Sequence, residues 1–207
     1  MMAAMTKRLE FSRGDVVIIQ REGLYKRFFS AEKIQFIHRL FHGGWSKEIE
    51  RELFVRGEAV AVLLYDPVRD LIGAVEQFRI GALEQANGPW CYEMVAGMVE
   101  EGELPEEVAR RELIEEANVK PYRLHPICDF LPSPGGSNEK IYLYCGLCDL
   151  SQAGGVYGLP EEGEDIRFHV LSAEEVFAEL LNGRFNNAAA LICLQWLQLN
   201  RASLRLE

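Results

Sequence analysis

A mixed α/β layered fold preceded by a small strand-rich unit is what this sequence predicts, on three observations. Short β-type runs interleave with a few helical segments from Gly57 onward. Before that point apolar residues recur in near-alternation, most clearly between Ile34 and Phe41, which suits strands exposed on one side. The composition is globular, 48% hydrophobic and 26% charged over 207 residues. That length suits one compact domain, or one with an appendage.

Taken in order, residues 1–56 form the N-terminal unit. VVIIQ, RFFS and the stretch from Lys33 to Phe41 read as strands, Gly43-Gly44 as a turn, and Glu48 to Val55 as a charged strand or short helix. Residues 57–207 open with two strand runs, EAVAVLLYD and LIGAVEQFRIGA, joined by a turn beginning at Asp66-Pro67. PWCYEMVAGMVEEGE then leads to a helix starting near Pro105, a residue suited to the first helical turn. Strands over Pro126–Leu131, Lys140–Leu147 and Ile166–Val170 follow, then helices over Ala173–Leu181 and Asn187–Leu199.

Charge and cysteine content narrow the function. A net charge of −10 argues against nucleic acid polymers or an anionic membrane as partners. An acidic chain that handles phosphate esters must neutralise charge locally, with a metal or a few placed arginines. No apolar run approaches the ~20 residues of a membrane span. MMAAMTKRLEFSRGD lacks the apolar core of a signal peptide, so the cytoplasm is the expected location. The five cysteines are scattered, and Cys145-x-x-Cys148 has no second pair to complete a zinc site. Packed free thiols are the expectation. The four histidines fit no metal or triad spacing.

One segment carries chemistry. On a helix over 105–117, Glu112, Glu115 and Glu116 are spaced i, i+3 and i+4, so their carboxylates share a face. Ala109, Leu113 and Ala117 line the adjoining face and can anchor it. Acidic helix faces are commonly solvated surface. Three clustered carboxylates with Glu103 before them are nonetheless mildly unfavourable unless cations sit there, and oxygen-rich sites suit magnesium or manganese. Arg111 lies one turn from Glu115 and can hold its carboxylate.

The whole segment resembles the Nudix box, matching at Gly97, Glu103, Arg111, Glu112, Leu113, Glu115, Glu116 and Val119. The single departure is Asn118 in place of glycine, at a left-handed position just past the helix end that asparagine tolerates. Beyond the box, RELFVRG, EQFRIGA, PWCYEMVAGM, SPGGSNEK, EEGEDIRFHV and NNAAALICLQWLQ resemble the ADP-ribose pyrophosphatase branch of the family, and Pro132 and Pro134 add to this. The resemblance implies a Nudix α/β/α sandwich with a mixed sheet, and a magnesium-dependent hydrolase, with manganese as a substitute, splitting ADP-ribose into AMP and ribose 5-phosphate.

It also implies roles for residues. The Ala96 carbonyl, Glu112, Glu116 and Glu164 would bind metal, with Glu115 close by. Glu162, or second Glu164, would be the general base. Phe28, Phe29, Arg51, Glu52 and Arg56 would meet the adenosine end, and Arg79, Met98, Ser133, Pro134, Gly135 and Glu139 the phosphates and terminal ribose. The N-terminal unit would be exchanged in a homodimer. Two other functions stay open: hydrolysis of another nucleotide diphosphate such as a GDP-sugar or NADH, and a non-catalytic ADP-ribose sensor, which would be expected to lose box glutamates.

Overall fold

The computed structural model describes residues 10–206, apart from the side chains of Glu162 and Leu181. Its strands are β1 (Val16–Lys26), β2 (Ser30–His38), β3 (Ile49–Val55), β4 (Glu58–Asp66), β5 (Leu71–Phe78), β6 (Trp90–Glu93), β7 (Val95–Val99), β8 (Arg123–Phe130), β9 (Lys140–Leu147), β10 (Gly155–Tyr157) and β11 (Ile166–Ser172). Its helices are α1 (Pro105–Ala117), α2 (Ala173–Leu181) and α3 (Ala188–Leu204). The chain divides into two units. One runs through Arg56 and takes in Ser133–Asn138; the other comprises Gly57–Pro132 and Glu139–Glu207.

The first unit is an antiparallel sheet in the order β1-β2-β3. Arg27, Phe28 and Phe29 of RFFS form its hairpin tip rather than a strand, and Ser30 begins β2. β1 runs on to Lys26, and the Arg27 amide donates to the Phe29 carbonyl at 2.8 Å. The tip escaped the apolar pattern because aromatic residues at an exposed turn look like a strand. Glu48 to Val55 resolves as strand β3, paired with β2 from Phe36–Ile49 to Ser30–Val55. Ser133–Asn138 lies along the free edge of β3. The Phe54 amide donates to the Gly136 carbonyl at 2.8 Å, and the Arg56 amide to Asn138 Oδ1 at 2.8 Å, so this edge is partly satisfied.

The second unit is built on a sheet in the order β10-β11-β5-β4-β9-β8, with β6 also paired to β5 and β7 to β4. β4 and β9 run parallel and the other pairs antiparallel, which makes the sheet mixed. β4 is buried on both faces, as a central strand must be. Its Ala61, Leu63 and Tyr65 join a core with Val176 of α2 and Leu194 of α3. Its Val60, Val62 and Leu64 join a second core with Val108, Ala109 and Leu113 of α1. The result is a three-layer α/β/α arrangement. Cys145 belongs to the first core and Cys148 to the second, so the two cannot share a metal, and all five cysteines are free thiols. Among the described residues no helix is long and apolar enough to cross a membrane.

Candidate active site

Helix α1 is held at both ends. Pro105 occupies its first turn, and Asn118 closes it in the left-handed region (φ 50°, ψ 38°), its amide donating to the Ile114 carbonyl at 3.0 Å. Asparagine thus takes the conformation that favours glycine. The face that α1 presents to its core carries Val108, Ala109, Leu113 and Ala117, together with two buried carboxylates, Glu112 and Glu116. Buried charges need partners. Oε2 of Glu116 accepts the Ala96 amide of β7 at 3.1 Å. Oε1 of Glu112 lies 2.8 Å from Nη1 of Arg111 and crosses β7 at Gly97.

Arg111 collects the acidic side chains. Besides Glu112 it meets Glu115 at 3.1 Å and Glu103 at 3.9 Å. Partial burial works against its charge, yet these three carboxylates hold its pKa above the ordinary value. Glu103 also accepts the Glu100 amide at 2.9 Å, which closes the turn before the helix.

Burial pushes Glu112 up to about 7, with Glu115 and Glu164 adding to the shift and Arg111 opposing it. Burial pushes Glu116 to about 8, with Glu112 and Glu164 adding and the Ala96 amide and Arg79 opposing. The carboxylates are crowded beyond what nearby cationic side chains offset. This donor set fits a hard divalent cation, which would be held by Glu112, Glu116, Glu164 and the Ala96 carbonyl. Among the described residues no three acidic, histidine or cysteine side chains yet converge as a metal cage. Glu116 rests on Ala96, Glu115 on Arg111, and Glu164 on its own loop.

That loop leads into β11. The Leu159 amide donates to Glu164 Oε2 at 3.0 Å, and the Glu164 amide returns to the Leu159 carbonyl at 3.2 Å. Gly158 sits beneath at φ +107°, where a Cβ would come 2.7 Å from that of Glu164. Of Glu162 only the backbone is described, in the turn Pro160–Glu162.

The other expected residues fall into three groups. Arg79, just past β5, donates through Nε to Glu93 at 2.6 Å, and Arg79 is close enough to Glu116 to act on it electrostatically. Met98 alternates with Gly97 on β7 and so points to the opposite face from the acidic pair. Glu139 precedes β9, while Ser133, Pro134 and Gly135 belong to the first unit. In that unit Phe28 and Phe29 pack edge to face at 4.7 Å, Phe29 meets Phe54 at 5.2 Å, and the Arg56 guanidinium stands 4.6 Å over the Phe29 ring. Arg51 and Glu52 point to opposite faces of β3, and Arg51 donates to the Glu50 carbonyl at 2.7 Å. Sequence reasoning missed Glu93. It left no signal, because it lies in a strand too short to show periodicity and faces Val75, with Arg79 reaching it from just past β5.

An acidic helix face, a strand glycine beneath it and an arginine joining three carboxylates thus lie together on an α/β/α sandwich. The chain belongs to the Nudix family: residues 55–192 match the NUDIX domain model. It is 49% identical over 197 residues to the ADP-ribose pyrophosphatase of Escherichia coli strain K12, covering 95% of this chain and 94% of that one. Identity to the ADP-ribose pyrophosphatase of Haemophilus influenzae is 45% over 204 residues, covering 97% and 94%. The GDP-mannose pyrophosphatase of Pectobacterium atrosepticum is 29% identical, covering 86% and 91%. A crystal structure of an ADP compounds hydrolase shares the fold, with a TM-score of 0.69 at 19% identity over 92% of this chain and 97% of that one.

Proposed function

We propose that this chain hydrolyses the diphosphate of ADP-ribose to AMP and ribose 5-phosphate in the cytoplasm, with magnesium as cofactor and manganese as a substitute. The observation that carries the reading is the buried Glu112 and Glu116 pair anchored at Gly97 and Ala96, in a chain similar along its length to ADP-ribose pyrophosphatases.

When bound, a divalent cation neutralises the diphosphate and acidifies water. The remaining work falls to the protein. Glu112, Glu116, Glu164 and the Ala96 carbonyl would hold that cation, and Arg111 keeps Glu112 and Glu115 oriented. Glu162, or in second place Glu164, takes a proton from water. The water oxygen bonds to one phosphorus while the bridging oxygen departs on the other. Arg79, with Ser133, Pro134, Gly135, Glu139 and Met98, receives the phosphates and terminal ribose. Phe28 and Phe29 stack on adenine, with Arg51, Glu52 and Arg56 around the nucleoside.

The N-terminal unit is proposed to be exchanged between two subunits of a homodimer. Its exposed apolar side chains, among them Val17, Ile19 and Phe41, support an association of this kind.

A second substrate class is favoured by a specific observation, the similarity to GDP-mannose pyrophosphatases. The deciding experiment compares kcat/KM for ADP-ribose, GDP-mannose and NADH with magnesium. A preference for ADP-ribose supports the proposal; a preference for either of the others replaces the substrate while leaving the chemistry. Binding of ADP-ribose without hydrolysis of any of the three would make the chain a sensor.

A further inference from the structure

Gln77, on strand β5, carries a buried amide nitrogen without a hydrogen-bond partner among the described residues. The residue is only 6% exposed, and its Nε2 is sealed from solvent. Buried amides are ordinarily paired, because an unpaired one lowers stability. Along β5, Ile72 and Ala74 enter the core shared with α2 and α3, whereas Val75 enters the core shared with α1. Gln77 therefore projects to the α1 side, the face that carries Glu112 and Glu116.

Its flanks are the functional groups already described. Val75, one step back on this face, is paired with Glu93, and Arg79, one step forward, donates to Glu93. On the other side Arg167 pairs with Glu76. Ile166 thus comes level with Gln77, two residues after Glu164. The amide stands between the Arg79–Glu93 pair and the segment that brings in Glu164.

We propose that Gln77 is a substrate-binding residue whose amide donates a hydrogen bond to a non-bridging oxygen of the diphosphate. The inference rests on the hydrolase reading above. Its chemistry suits the place: the neighbouring carboxylates and the diphosphate are all acceptors, so a donor is needed. A neutral donor supplies it without repelling the divalent cation, as a further arginine would. The nitrogen and oxygen of such an amide exchange by a half-turn of its last torsion, so the donor can face the ligand when one arrives.

The test replaces the amide with side chains of similar size, Gln77→Met and Gln77→Leu, and measures thermal unfolding together with kcat/KM for ADP-ribose and for GDP-mannose. These two substrates share the diphosphate and differ at both ends. The expected result is an unchanged or higher Tm, with kcat/KM lowered roughly 10- to 100-fold for whichever compound wild type cleaves, the share of one hydrogen bond to a charged oxygen. Kinetics within about twofold of wild type, or unfolding of both variants, would overturn the assignment and give the amide to the fold. Wild type cleaving only GDP-mannose would displace the ADP-ribose reading while Gln77 is still judged on that compound. Wild type cleaving neither would remove both readings.

Discussion

A Cβ on Gly97 would stand 2.0 Å from Oε1 of Glu112. The two residues belong to different elements, strand β7 and helix α1, and the missing side chain of one is the space occupied by the carboxyl of the other. The box glycine is required here by close approach rather than by backbone conformation.

Gly97→Ala should therefore displace Glu112 while leaving α1 folded. A shift of about 1 Å at a reacting centre costs on the order of a hundredfold. The variant should lose about that much activity, with its magnesium titration moved to higher concentration and its circular dichroism unchanged. Wild-type activity in Gly97→Ala would mean that the approach is not used.

The raised carboxyl groups make the metal-free protein sensitive to pH. Glu112 and Glu116 hold protons up to about 7 and 8 when folded, against an ordinary value of 4.5. Between those limits the folded state binds more protons than the unfolded one, so stability falls as pH rises. Thermal unfolding in chelator should show Tm declining from pH 5 to pH 9, in the sense given by that linkage. Glu116→Gln should flatten the slope. Magnesium should oppose the decline, since it replaces the protons. A Tm that rises over this range in chelator would contradict the burial argument.

Away from the site, Asp70 is the anchor of helix α3. It holds a left-handed backbone (φ 61°), accepts from Tyr65 Oη at 2.8 Å and from Arg201 Nε at 2.7 Å, and also pairs with Arg201 Nη2 and Arg205. Asp70→Ala leaves Arg201 without its main carboxylate partner. It should destabilise the protein by about 2–4 kcal/mol in urea unfolding. Its KM for ADP-ribose should stay at the wild-type value, because the cluster is remote from the acidic face.

Phe28 gives the opposite separation. Its ring is 85% exposed, so removing it costs the fold little. Phe28→Ala should keep its Tm yet raise KM, by roughly five- to fiftyfold if the ring stacks on adenine, and change kcat far less. An unchanged KM would remove Phe28 from the binding site.

How much of this was legible beforehand depended on the signal each element carried. Helix α1, strand β9 and helix α2 begin and end where the sequence placed them, because proline, the Ser172 cap and clear apolar periods mark them. That Glu112 and Glu116 share one face of α1 was legible from helical spacing, whereas their proposed role toward metal came from the resemblance to the Nudix box. Strand β10 was missed: three residues, two of them exposed, leave no period to read. The pairing of Ser133–Asn138 with β3 was equally hidden, since it depends on backbone hydrogen bonds between segments far apart in sequence. Gln77 gave no signal either, because burial of a polar residue appears only once the sheet is assembled.

Hydrolysis of ADP-ribose at the acidic face of α1 is the function we propose for this chain. The most direct test incubates ADP-ribose and magnesium with wild type and with Glu116→Gln, and separates the products by chromatography. AMP and ribose 5-phosphate are expected in equal amounts from wild type and almost none from the variant. Intact ADP-ribose with the wild-type protein, or equal turnover by Glu116→Gln, would contradict it.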